Sequence, residues 1–187
     1  EEGKPRQSIF SSSDPEYYSP GASYSSGGVD DVTGAKLVKV AKSQIGVKYH
    51  SMHYGPKGSG DEGFGCAMLV AYCYNQVFFG GARGDFPLDG KSRSAFYGAT
   101  SLFWSSVYNT GMKHYNHGFV LVSKENAVPG DVIAYVRQEK QGIGCYHVAL
   151  YTGNGKLIEA GGRDEHSFNM NADNIRFLHY IGNGGYW

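Results

Sequence analysis

Three side chains in this sequence are of the types that together carry out acyl transfer: Cys66 in DEGFGCAMLVAYCYN, His147 in CYHVALYT and Glu159 in LIEA. A thiolate is a strong nucleophile, an imidazole can take and return its proton, and a carboxylate can orient the imidazole and stabilise its charged form. Cys66 follows a glycine-rich run and opens an apolar stretch. A thiol at a helix N-terminus faces unpaired backbone N–H groups and the positive end of the macrodipole, and both favour thiolate. The same N–H groups can hold the charge that develops on a carbonyl oxygen under attack. Taken alone, a cysteine on an apolar helical face is more often a buried core residue, so the nucleophile reading depends on finding its base.

The element around Cys66 is legible from its period. Cys66, Leu69, Val70, Cys73 and Val77 fall at i, i+3, i+4, i+7 and i+11, which predicts a helix with Cys66 on its core face at the N-terminal end. An earlier helix is predicted in DDVTGAKLVKVAKSQIG, with Asp or Thr as N-cap, Leu37, Val38, Ala41 and Ile45 on one face and Gly46 as terminator. Residues 47–65 have no period and read as a loop joining the two. SLFWSSVYNTG reads as a short third helix after the turn-rich GGARGDFPLDG.

His147 needs a strand. In CYHVALYT the period of two places Cys145, His147, Ala149 and Tyr151 on one face and Tyr146, Val148 and Leu150 on the other. A three-residue turn at Gly153-Asn154-Gly155 would pair Thr152 with Lys156 and Ala149 with Glu159, leaving His147 a diagonal neighbour of the acid. A two-residue loop would instead put His147 and Glu159 on opposite faces. Further strands are predicted at 119–122, 131–137, 145–152, 156–160 and 175–180. Helices first and strands afterwards predict an α+β domain with an antiparallel sheet packed on N-terminal helices.

The chain has 187 residues, enough for one domain with one substantial core. Residues 1–30, rich in Ser, Gly, Tyr and Pro, read as a tail or linker, and residues 31–187 as the catalytic domain. Lys and Arg number 17, as do Asp and Glu, so no basic footprint for nucleic acid is present and none is expected as a partner. No apolar run approaches the roughly 20 residues of a membrane helix, so no membrane span is expected. Glu1-Glu2-Gly3-Lys4 does not begin like a signal peptide, an opening compatible with the mature part of an exported protein.

The order of these features resembles the NlpC/P60 family of cell-wall cysteine peptidases, from about Val32 to Tyr180. That family shows Gly-x-x-Tyr ahead of Asp-Cys-Ser-Gly, then Pro-Gly-Asp, then His-Val-Gly-Ile-Tyr-x-Gly-x-Gly and a polar residue twelve positions after the His. Here stand Gly46-Val47-Lys48-Tyr49, Gly65-Cys66-Ala67-Met68, Pro129-Gly130-Asp131, His147-Val148-Ala149-Leu150-Tyr151-Thr152-Gly153-Asn154-Gly155 and Glu159. The resemblance implies a papain-like fold, with Cys66 as nucleophile, His147 as base and Glu159 as third residue. It implies oxyanion or substrate contacts at Tyr49, or at the competing Tyr54, and at Gly65 and Ala67. It further implies a secreted or cell-surface hydrolase acting on peptidoglycan stem peptides, most often at the bond after D-γ-glutamate. Gly65, Ala67 and Met68 replace the Asp, Ser and Gly that shape the family's cleft, and Glu159 replaces its usual His, Asn or Gln. The alternatives are a cell-wall binding module without activity, or a related amidase or acyltransferase.

No cofactor or metal is expected. His50/His53 and His114/His117 are His-x-x-His pairs that could meet on zinc, but loops fix neither, and loop histidines more often face substrate or solvent. His166 and His179 carry no partner signal. Cys73 and Cys145 could pair in an oxidising compartment, or stay as two buried thiols. Tyr97 and Trp104 could form platforms for sugar rings, although packing explains aromatics more often.

Overall fold

The structure is a computed structural model of the chain, and it describes residues 27–81, 118–140 and 142–182. Most of the expected tail, the expected third helix, Tyr97, Trp104, His114 and His117 lie outside the described residues.

Helix α1 spans Asp31–Ser43. Its N-cap is Asp30, in a reciprocal box: the Asp30 carboxylate accepts from the Thr33 N–H at 2.8 Å, and the Thr33 hydroxyl accepts from the Asp30 N–H at 2.8 Å. The helix buries Gly34, Leu37 and Ala41. Gly34 is required by a close approach, since a Cβ there would sit 2.3 Å from the carbonyl oxygen of Pro129. Val29 is also buried and donates its N–H to Tyr180 O at 2.8 Å, so the last residues of the expected 1–30 segment pack with the domain.

Two short strands, β1 (Tyr54–Gly55) and β2 (Gly63–Phe64), pair antiparallel ahead of helix α2 (Cys66–Phe78). Helix α2 is buried well beyond one stripe, with Ala67 to Ala71 and Cys73 to Asn75 all inside. A helix covered on nearly every side is a central element, here held between α1, β1–β2 and the main sheet. The remaining strands are β3 (Phe119–Val122), β4 (Val132–Glu139), β5 (Gly142–Gly153), β6 (Lys156–Ile158), β7 (His166–Ser167) and β8 (Ile175–Tyr180). They form one antiparallel sheet in the order β3-β8-β4-β5-β6-β7. The α+β arrangement expected from the order of elements is the one observed.

Alternation divides the sheet into two faces. Val132, Ala134, Val136, Val148, Leu150, Ile158 and Leu178 join Leu37, Ala41, Leu69, Val70 and Cys73 in the main core, while Ile133, Ala149, Tyr151, Leu157, Ile175 and Phe177 form a second cluster. The turn before β4 is tied to both layers: the Tyr74 hydroxyl donates to Gly130 O at 2.7 Å, and Asp131 meets His179 Nδ1 at 2.6 Å. No helix among the described residues is long and apolar enough to cross a membrane.

The β5–β6 hairpin reaches the expected facing by a different route. Its turn has two residues, Asn154 and Gly155, both at positive φ (52° and 70°), which closes Gly153 on Lys156. A two-residue turn alone would reverse the facing of the acid. However, the register shifts between Tyr151 and Gly153, and this bulge restores Tyr151 opposite Leu157 and Leu150 opposite Ile158. The predicted pairing of Thr152 with Lys156 is therefore corrected, whereas the side-chain parity it implied is kept.

Candidate active site

Cys66 is the first residue of α2, and the chain before it is clamped in place. Phe64 N–H donates to Lys48 O, His50 N–H to Phe64 O and Gly65 N–H to His53 O, at 3.0–3.1 Å. The segment 48–53 thereby wraps the approach to the helix. Gly65 is the N-cap, and having no side chain it places no cap on the first turn; no acidic residue lies there either. A Cβ at position 65 would stand 3.0 Å from the Met52 backbone nitrogen, tighter than ordinary packing. That contact explains physically why a small residue stands at this position. Cys66 itself is half-buried while Leu69, Val70 and Cys73 on the same face are buried, so it sits at the rim of the core rather than within it as the stripe predicted.

His147 is set by an irregularity in β5. Tyr135 pairs with His147 and Val136 with Cys145, so Tyr146 is an extra residue in β5 and the expected alternation from Cys145 to His147 is broken. Cys145 consequently packs against the main core on the helix side, and its thiol donates to the His147 carbonyl at 3.3 Å. Burial pushes the Cys145 thiol up to about 12 and the wholly buried Cys73 thiol higher still, so both stay protonated. No disulfide joins Cys66, Cys73 or Cys145.

From this position His147 reaches both partners. Its Nε2 lies 2.7 Å from Glu159 Oε2, and its side chain also hydrogen-bonds Cys66. Burial is the largest single influence on His147 and disfavours its charged form. The hydrogen bonds to Cys66 and Glu159 and the negative charges on both outweigh it, raising the imidazole from 6.5 to about 9. Glu159 is held below its ordinary value chiefly by the hydrogen bond from His147, against burial, with the charges of His147 and His166 adding. The Tyr135 ring lies 5.2 Å from that of His147, and burial keeps its phenol neutral, pushed up to about 12.

The remaining expected site residues divide. Tyr49 is bridged to Phe64, two residues before Cys66, with its side chain 55 % exposed. Tyr54 is turned elsewhere: its hydroxyl accepts from Asn75 Nδ2 at 3.1 Å, nine residues down α2, and its ring packs on Phe64 and Tyr72. Ala67 is 3 % exposed, so its side chain lies in the core. Of the two His-x-x-His pairs, the described one has its rings stacked at 4.4 Å, with His53 Nε2 on the Asp61 backbone oxygen at 2.8 Å. Sequence reasoning missed His166, whose Nε2 stands 3.1 Å from the other Glu159 oxygen. No local pattern announces it, since β7 is only two residues long and is placed by pairing with β6.

The family model described as NlpC/P60 matches residues 51–177, more than half of the chain. The chain belongs to the NlpC/P60 family. Cys66, His147, Glu159, Tyr54, Gly65 and Ala67 all fall within the matched span, and Tyr49 lies two residues ahead of it. Among solved structures, NlpC2 from Trichomonas vaginalis is similar at a TM-score of 0.51 and 22% identity, covering 85% of this chain and 50% of that one. RipD from Mycobacterium tuberculosis, described as a non-catalytic NlpC/p60 domain protein adapted to peptidoglycan binding, gives 0.48 and 21%, covering 80% and 97%. A hypothetical invasion protein of Mycobacterium tuberculosis gives 0.48 and 23%, covering 80% and 62%. The chain thus spans half to two thirds of two of these proteins, and at such identities the likeness concerns fold. No curated protein matches the chain.

Proposed function

We propose that this NlpC/P60 domain is a peptidoglycan hydrolase, a cysteine endopeptidase that cleaves an amide bond in the stem peptide. The observation that carries the reading is the continuous chain Cys66–His147–Glu159 at the N-terminus of a buried helix. The Cys66 thiolate sulfur attacks the amide carbonyl carbon, and the charge that moves to oxygen is met by first-turn N–H groups that no cap side chain occupies. The His147 imidazolium gives its proton to the leaving nitrogen as the C–N bond breaks. Neutral His147 then takes a proton from water, whose oxygen attacks the thioester and frees Cys66.

The family resemblance points to the bond between D-γ-glutamate and the following diamino acid, and to action in the wall, outside the cell membrane. Purified peptidoglycan should release soluble muropeptides with the wild-type chain and none with Cys66→Ala, whose fold and binding stay intact. A second reading, a domain that binds the wall without cutting it, draws on Gly65-Cys66-Ala67-Met68 and on the crowding at position 65. Binding with no release by the wild-type chain would favour it.

A further inference from the structure

Glu159 uses both of its oxygens. Oε2 lies 2.7 Å from His147 Nε2, and Oε1 lies 3.1 Å from His166 Nε2. The other ring nitrogen of His166, Nδ1, is 2.9 Å from the backbone oxygen of Asp164. A carbonyl oxygen and a carboxylate are both acceptors, so the His166 ring is held between two acceptors, one at each nitrogen.

The placement is built into the sheet. Leu157 pairs with His166 and Lys156 with Ser167, and Phe168 N–H donates to Gly155 O at 3.0 Å, so β7 is locked to the strand that ends one residue before Glu159. The His166 side chain is 17 % exposed and that of Glu159 22 %. The titratable groups facing Glu159 are His147 from β5, His166 from β7 and Tyr135 from β4, with Cys66 of α2 beyond His147. Those on the segment carrying His166 are Asp164 and Glu165, and Lys42 from α1 stands 3.8 Å from the Glu165 carboxylate.

We propose that His166 is a positioning residue for the Cys66–His147–Glu159 grouping: its Nε2 holds one oxygen of Glu159 so that the other stays on His147 Nε2. A glutamate just past a strand end has several rotamers, and a lone contact to His147 would leave it free to swing toward solvent. The second contact removes that freedom. The proposal deepens the peptidase reading and rests on it only for its kinetic consequence.

The test uses the full chain with His166→Phe and His166→Gln, following the His147 imidazole by NMR titration, which needs no substrate. His166→Phe should lower the His147 midpoint by about one pH unit, a tenfold loss of proton affinity. His166→Gln, which keeps one donor, should recover at least half of that. With stem-peptide substrate, kcat should fall about tenfold in the Phe variant with KM within twofold. In a Glu159→Ala background, His166→Phe should change neither quantity. An unchanged or raised His147 midpoint in the folded Phe variant overturns the proposal, as does an equal fall in the Glu159→Ala background. If the Phe variant does not fold, His166→Asn, polar but too short to reach Glu159, takes its place under the same criteria. A wild-type chain that cleaves nothing would sink the peptidase reading, while the titration would still decide the role of His166.

Discussion

Replacing Glu159 by Gln removes a carboxylate from 2.7 Å of His147 Nε2 and keeps the shape. The imidazole stands at about 9 against an ordinary 6.5, and Glu159 and Cys66 share in raising it against burial. An opposite charge at this range lifts a partner by roughly 1–3 pH units. The alkaline limb of activity, where the imidazolium is lost, should therefore move from near pH 9 to about pH 8 or below. A fall of one to two pH units leaves about 9% to 1% of the imidazolium at pH 9 in place of one half, so kcat/KM there should fall roughly 5–50-fold while changing little at pH 6. The sign for stability follows from the same shift. His147 is raised on folding, so its contribution is complete below pH 6.5 and fades as pH rises through about 9. In Glu159→Gln that fading should begin at lower pH. The assay is the pH dependence of kcat/KM on a stem-peptide substrate, with urea melts at pH 6 and pH 9. An alkaline limb that stays near pH 9 while activity drops would refute the electrostatic argument and leave Glu159 a packing role.

Other consequences can be checked separately. Gly65→Asp places a side chain against the Met52 backbone, so the segment 48–53 must shift; thermal melting should show a loss of about 1–3 kcal/mol, and an unchanged Tm would mean the loop yields freely. Asp131→Ala leaves His179 and the Val128 N–H without their buried acceptor and should cost about 3–5 kcal/mol in urea unfolding. Iodoacetamide at pH 7 should leave Cys73 and Cys145 unmodified in the folded chain, because burial holds both as thiols; peptide mapping by mass spectrometry reads this directly.

What could be read from the sequence was what period and punctuation encode. Strands β3 and β8 were predicted with their observed ends, and Cys66 was predicted to open α2, because apolar spacing and flanking glycines specify such elements locally. The two-residue strands β1, β2 and β7 have no period to detect. Both bulges were also invisible: the extra residue at Tyr146 turns Cys145 toward the helices, and the shift at Thr152 preserves the facing of Glu159, yet each exists only through its partner strand. His166 belongs to the same class, since its contact with Glu159 depends on a pairing that nothing near it in sequence specifies. Tyr54 and Ala67 were placed by resemblance alone; the Tyr54 hydroxyl meets Asn75 of α2, and the Ala67 side chain is buried.

The measurement that bears most directly on an activated Cys66 is its alkylation rate with iodoacetamide between pH 4 and pH 10, site-resolved by mass spectrometry. A thiolate held beside the His147 imidazolium should react at pH 6 at a rate close to its plateau, far faster than a free thiol, and should slow when His147 is replaced by Ala. A rate that climbs with pH like that of an ordinary thiol near 8.5, and is indifferent to His147, would contradict the account.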